Sequence, residues 1–274
     1  MQLLSKRFKL AGVNNYFDFD IYADTHFGSQ SIDESLLKKH IAETHDSGRY
    51  WVFLGDGIDG IIPSDIRRFN SQNMTDWAWN AYKNKRIIDA EYEHWRDIFK
   101  PIADKCLFYA CGDGKHNRSD NIADCRDNML RDLRIPGAYQ LVYYTFLFNR
   151  TQTNVQKVPI AFHHGFFAGR TGGSKINNLE RSLSYFPEAW GFFCGHGHTK
   201  ATTPPMVGII ERAGKAQSIY RRAAMTGSYI KTYADDTVGY GETKLYPPVA
   251  MGRITVRLSP FSNDDQKRIE IYNN

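Results

Sequence analysis

Four short apolar runs in this chain break off abruptly into Asp, His and Gly, and this pattern limits the folds open to it. FDFDIYADTH (17–26) ends in Asp24-Thr25-His26, and YWVFLGDGID (50–59) ends in Gly55-Asp56-Gly57-Ile58-Asp59. KVPIAFHHG (157–165) ends in His163-His164-Gly165, and WGFFCGHGH (190–198) ends in Gly195-His196-Gly197-His198. A fifth run, KCLFYACGDG (105–114), has the same shape. The continuous apolar pattern of YWVFLGDGID suits a strand covered on both faces. Ligands of open α/β sheets bind at the carboxyl ends of such strands. Six of the nine histidines, counting His116, stand in or beside these strand-end turns. Scattered core histidines and solvated aspartates would not cluster so.

Between the strands lie helical patterns. SIDESLLKKHIAETHDSG (31–48) has Ser31 and Glu34 in capping-box spacing and Gly48 as a stop. Residues 74–99 read as one long helix closed by Pro101, NIADCRDNMLRDL (121–133) is amphipathic, and SKINNLERSLSYF (174–186) is a further helix. The aromatics of the insert, Trp77, Trp79, Tyr82, Tyr92 and Trp95, are expected in the core, with base stacking by an exposed Trp as the alternative. YQLVYYTFLFN (139–149) reads as a strand, and about 205–272 is strand-like with Gly and Pro punctuation. No repeat, low-complexity tract or linker interrupts the chain. The expectation is one α/β domain over 1–274, with a helical insert at about 60–105.

Composition narrows the function. Charged residues are 24% and hydrophobic ones 42% of the 274, ordinary for a soluble domain. The net charge of +5 suits an anionic substrate, although charge governs attraction rather than fold. There is no basic tail, no signal-peptide order and no run near the ~18 apolar residues of a membrane span. A cytoplasmic protein without a membrane partner is expected; the sequence does not set its oligomeric state. Cys106, Cys111, Cys125 and Cys194 form no CxxC and read as free thiols, with Cys194 a small buried strand residue.

The clustered residue types point to metal. Carboxylate oxygens and imidazole nitrogens suit Mn, Fe or Zn in a mixed shell, and the lack of cysteine ligands argues against a structural zinc site. Two ions roughly 3.5–4 Å apart can share one carboxylate and clamp the oxygens of a displacement at phosphorus.

In order and spacing these strand ends resemble the calcineurin-like metallophosphoesterases, whose motifs run DxH, GDxxD, GNH(D/E), HG and GHxH. The resemblance covers roughly residues 15 to 260. HHGFFAGRTGGSKINNLERSL and MTGSYIKTY look like compact phage and bacterial members. The resemblance implies an α/β/β/α sandwich, two central mixed β-sheets flanked by helices. It implies two divalent ions, Mn first, with Fe, Zn, Ni or Mg as alternatives. Asp24, His26 and His198 would hold one ion, Asp56 would bridge, and His164 and His196 would hold the other. His163 is then a neighbour, and Asp59 a support for its loop or a helix-start carboxylate.

The third motif departs from the family. It reads CGDGKHNRSDN (111–121). If His116 takes the family His position, Lys115 takes that of the Asn ligand, and an ammonium has only donors. Either Asp113 supplies the oxygen, the favoured alternative, or the second site is weak and Lys115 lends positive charge near the phosphate. His116 is the candidate general acid. Arg118 and Arg170 are candidates for gripping a phosphate, and each also fits an ordinary surface role. The GRTGGSK stretch lacks Walker A spacing.

The expected function is metal-dependent phosphoester hydrolysis, two ions activating a hydroxide for attack on phosphorus. Asp in place of Asn lowers the charge of the site by one and tilts the expectation to diesters, in a nucleic acid or nucleotide. The alternatives are a phosphomonoesterase or protein phosphatase, and a non-catalytic nucleic-acid-binding member with an impaired second site.

Overall fold

The computed structural model describes residues 1–12, 14–62, 71–112, 122–151, 154–166, 169, 171–212, 214–234, 242 and 245–273. The strands are β1 (Gln2–Lys9), β2 (Phe17–Tyr22), β3 (Tyr50–Phe53), β4 (Cys106–Ala110), β5 (Gly137–Ala138), β6 (Leu141–Asn149), β7 (Val155–His163), β8 (Gly191–Cys194), β9 (Ala201–Thr202), β10 (Met206–Arg212), β11 (Lys215–Met225), β12 (Ile254–Leu258) and β13 (Ile269–Tyr272). The α-helices are α1 (Glu34–Ser47), α2 (Asp76–Lys83), α3 (Ile87–Phe99), α4 (Ile122–Leu133) and α5 (Gly172–Ser184).

The strands form two mixed sheets. One runs β1-β6-β7-β8-β11-β10, with β9 paired to β11; the other runs β13-β12-β2-β3-β4-β5. In the second sheet β2, β3, β4 and β5 are parallel, so the first three motifs leave by neighbouring carboxyl ends. In the first sheet β7, β8 and β11 are parallel, which does the same for the last two motifs.

Strand alternation builds the layers. Phe19, Ile21, Val52, Leu54 and Phe108 share one core between the sheets with Phe146, Ile160, Phe162 and Phe193. The opposite faces of the same strands, through Tyr22, Trp51, Phe53 and Tyr109, pack under helices through Leu37, Tyr92, Trp95 and Leu130. Phe192, Cys194 and Ala161 face outward from the first sheet and meet Leu179 and Leu183 of α5. Two sheets packed face to face with helices outside is an α/β sandwich. The unbroken apolar reading of β3 and β4 follows, because each face of these strands is covered.

Three local features differ from the sequence reading. The cap of α1 is Asp33, whose Oδ1 accepts the N–H of Leu36 at 2.9 Å, rather than Ser31; Gly48 is the left-handed stop as expected. Residues 74–99 do not make one helix: α2 ends at Lys83 and α3 starts at Ile87. Lys85, at φ 59°, turns the chain out of the helical region between them. The N-terminal stretch, not read as structure, is strand β1, parallel to β6. All four cysteines are free, and Cys194 is buried in β8. Among the described residues no helix is long and apolar enough to cross a membrane.

Candidate metal centre

The carboxyl ends of the two sheets meet at Asp24. Its N–H donates to Gly55 O at 3.0 Å, which ties the first motif to the second. Its Oδ2 accepts the N–H of His196 at 2.8 Å, which ties the first motif to the fifth across the two sheets. Its Oδ1 is buried and makes no hydrogen bond; it lies 3.6 Å from His198 Nε2 and 3.9 Å from His26 Nε2. The two imidazole nitrogens are 3.3 Å apart. A circle through these three atoms has a radius of about 2.1 Å, the length of a bond from nitrogen or oxygen to a first-row divalent ion.

Asp56, His164 and His196 form a second group of the same kind. Asp56 Oδ2 and His196 Nδ1 each lie 3.2 Å from His164 Nε2. His164 Nδ1 stands 2.7 Å from Leu54 O, which can only accept, so Nδ1 carries the proton and Nε2 is turned towards Asp56. In the second group the acceptor nitrogen of His164 thus faces a carboxylate oxygen of Asp56, and in the first the buried Asp24 Oδ1, without a hydrogen bond, faces two imidazole nitrogens. That arrangement is unfavourable without a proton or a cation among them.

The electrostatics agree. Burial pushes the Asp24 carboxyl up to about 6; His164 opposes the rise and the Asp56 carboxylate adds to it. Burial pulls the His164 imidazole down, but the adjoining Asp56 carboxylate outweighs it and raises the group to about 9. The pocket draws positive charge towards itself.

The backbone is strained where the donors sit. Asp24, His26, Asp56, His196 and His198 have φ between 45° and 64°, so five of the six donors are left-handed non-glycine residues. This region is uncommon for residues with a Cβ, and strain of this kind gathers at functional sites. Close approach adds a second demand. A Cβ on Gly195 would stand 2.6 Å from Asp24 Oδ2, and one on Gly112 would collide with Asp56 Oδ1.

Six of the seven sequence-predicted ligands, all but Asp113 of the third motif, fall in these two groups: Asp24, His26 and His198, then Asp56, His164 and His196. His163 stands in neither; its Nδ1 accepts the N–H of Gly165 at 2.8 Å. Asp59 supports its loop's neighbour, with Oδ1 3.6 Å from His26 Nδ1. Asp113, Lys115, His116, Arg118 and Arg170 lie outside the described residues. Sequence reasoning missed Lys175 of α5, which is buried and donates from Nζ to Gly197 O at 2.6 Å, between the two histidines of the fifth motif. A lysine inside a helical pattern reads as a solvated side chain, so no sequence signal marked it.

No family model matches the chain, and no curated protein matches it. Among solved structures it is similar to "GAP50 the anchor in the inner membrane complex of Plasmodium", at a TM-score of 0.42 and 10% identity, over 93% of this chain and 83% of that one.

Proposed function

We propose that the chain is a calcineurin-like metallophosphoesterase that hydrolyses a phosphoester with two divalent cations, a phosphodiester of a nucleic acid or nucleotide being the favoured substrate. The observation that carries this reading is the pair of adjoining Asp/His groups at the strand ends of two packed sheets, each bringing one possible ligand atom from every residue together. Five separated motifs in the family's order support it further.

In this reading Asp24, His26 and His198 would hold one cation and Asp56, His164 and His196 the other, Asp56 being the residue expected to be shared. The donor set of oxygens and neutral nitrogens suits Mn first, and also Fe, Zn, Ni or Mg. When bound, the cations neutralise phosphoryl oxygens and lower the pKa of water. The chain's own residues do the rest. Asp24 locks the two sheets' strand ends in register through His196 N–H, and Leu54 fixes the His164 ring so that Nε2 faces the centre. Gly112 abuts Asp56; Asp113 is the proposed further oxygen ligand in preference to Lys115, because an ammonium has only donors. His116 is the proposed donor of a proton to the leaving oxygen. Arg118, Arg170 and Lys115 are the proposed contacts for the substrate's negative charge.

The test compares hydrolysis of a chromogenic phosphodiester and its monoester with added Mn, using His196→Ala as control. Diester turnover that disappears in the control supports the proposal, and monoester preference redirects it to phosphatase substrates. Absence of turnover of either with metal bound would overturn it in favour of a binding protein.

A further inference from the structure

Helix α3 of the insert lies under the loops that carry the first metal group, and it sends a carboxyl group into them. Glu91 is 1% exposed. Its Oε2 accepts the N–H of Gly60 at 3.0 Å. Its Oε1 packs against Gly28, where φ is 104° and a Cβ would collide with that oxygen. Gly28 follows His26 by two residues. Gly60 follows Asp59, whose carboxylate faces His26 Nδ1 at 3.6 Å. The contacts therefore close a ring from His26 through Asp59, Gly60, Glu91 and Gly28 back to His26. Phe27 strengthens it, donating its N–H to Gly57 O and accepting from Asp59 N–H. One helical turn on, Trp95 supports the same loop: a Cβ on Gly57 would stand 3.1 Å from its indole.

We propose that Glu91 is a positioning residue for the first metal group: from the insert it fixes the spacing of the His26 and Asp59 loops and so sets that group's affinity for a divalent cation. This rests on the metal reading above. It makes the insert the floor of the centre. Burial, reinforced by Asp59, holds the Glu91 carboxyl well above its ordinary value. Burial thus disfavours a charge on Glu91 beside a centre already holding two aspartates. Its role is one of reach and hydrogen bonding, which an amide can reproduce.

The experiment measures Mn(II) binding by calorimetry and by the electron paramagnetic resonance signal of the bound ion. It uses the full chain as wild type, Glu91→Gln, Glu91→Ala and Glu91→Leu, with the melting temperature of each in chelator as the structural control. The expected result is near-wild-type affinity for Gln, and a loss of about tenfold to a hundredfold at one of two sites for Ala and Leu. Wild-type affinity in Ala and Leu would overturn the proposal, as would a loss in Gln equal to that in Ala. If Ala and Leu do not fold, Glu91→Asp decides: the shorter acid weakens one site if Glu91 positions it, and unchanged affinity overturns the role. A wild-type chain that binds no Mn would overturn the metal reading itself, and this proposal with it.

Discussion

The proton of His164 Nδ1 is committed to the carbonyl oxygen of Leu54, 2.7 Å away, so the ring's other nitrogen is presented to Asp56 at 3.2 Å. Leu54 is the residue that follows β3, and His164 the residue that follows β7. One hydrogen bond between the two sheets thus decides both the tautomer and the direction of the ring. The centre is a property of the sandwich as a whole, and its donors depend on how the sheets are packed.

Asp24→Asn should separate metal binding from folding. The asparagine keeps an oxygen for His196 N–H and removes a buried negative charge beside Asp56. Melting in chelator should rise by a few degrees relative to wild type. The rise expected with Mn in wild type, about 2.7 kcal/mol at a hundredfold excess over Kd, should be lost. Differential scanning calorimetry with and without Mn checks both.

Gly195→Ala should damage the site without touching a donor. The new Cβ would stand 2.6 Å from Asp24 Oδ2 and 2.7 Å from Ala23 Cβ. Overpacking of this kind costs about 1–3 kcal/mol, and relief requires Asp24 to shift. Urea melts should show the lost stability, and Mn titration a weaker first site. Wild-type affinity would mean that the loop adapts freely.

Glu34→Gln should show a defined pH dependence. The hydrogen bond from His94 Nε2 to Glu34 Oε1, at 2.8 Å, pulls the carboxyl down to about 2; burial opposes the shift and Lys38 assists it. A depressed carboxyl gives stability that is present above its unfolded value and lost as pH falls through the folded one. The wild-type advantage over Gln should therefore hold at pH 7 and shrink between about 4.5 and 2. The group is partly exposed, so solvent screening keeps the advantage at about 1 kcal/mol or less. Paired denaturant melts across that range test it.

Trp95→Ala should cost about 3–5 kcal/mol, the usual range for emptying a buried aromatic site. Trp95 is fully buried, stacked on Phe99 at 4.2 Å and set edge-on to Phe53 at 5.3 Å. Because Gly57 packs on the same indole, the variant should also bind metal more weakly. A stability loss with unchanged Mn affinity would separate the helix from the centre.

The donors were legible because they sit at the ends of four apolar runs, where a few residues carry both the strand and the turn. Asp24, His26, Asp56, His164, His196 and His198 could be named without knowing which strands are neighbours. The break between α2 and α3 was hidden, because Lys85 is an ordinary helix former and its left-handed φ leaves no mark in composition. Pairing of β1 with β6 joins residues about 140 positions apart, and local pattern does not encode such pairing. Glu91 was hidden for a related reason. On the 88, 92, 95, 99 face of α3 the apolar spacing is clear, and a glutamate beside it reads as solvated until the loops above are in place.

The left-handed donors set selection for function against selection for heat resistance. At His26, Asp56 and His198 a glycine would adopt the same backbone more easily than the residue present, and replacing the aspartate would also remove a buried charge. A library screened for thermal tolerance alone should therefore lose its donors early and return well-folded, inert chains. Engineering this scaffold for robustness requires that metal retention be screened in the same round.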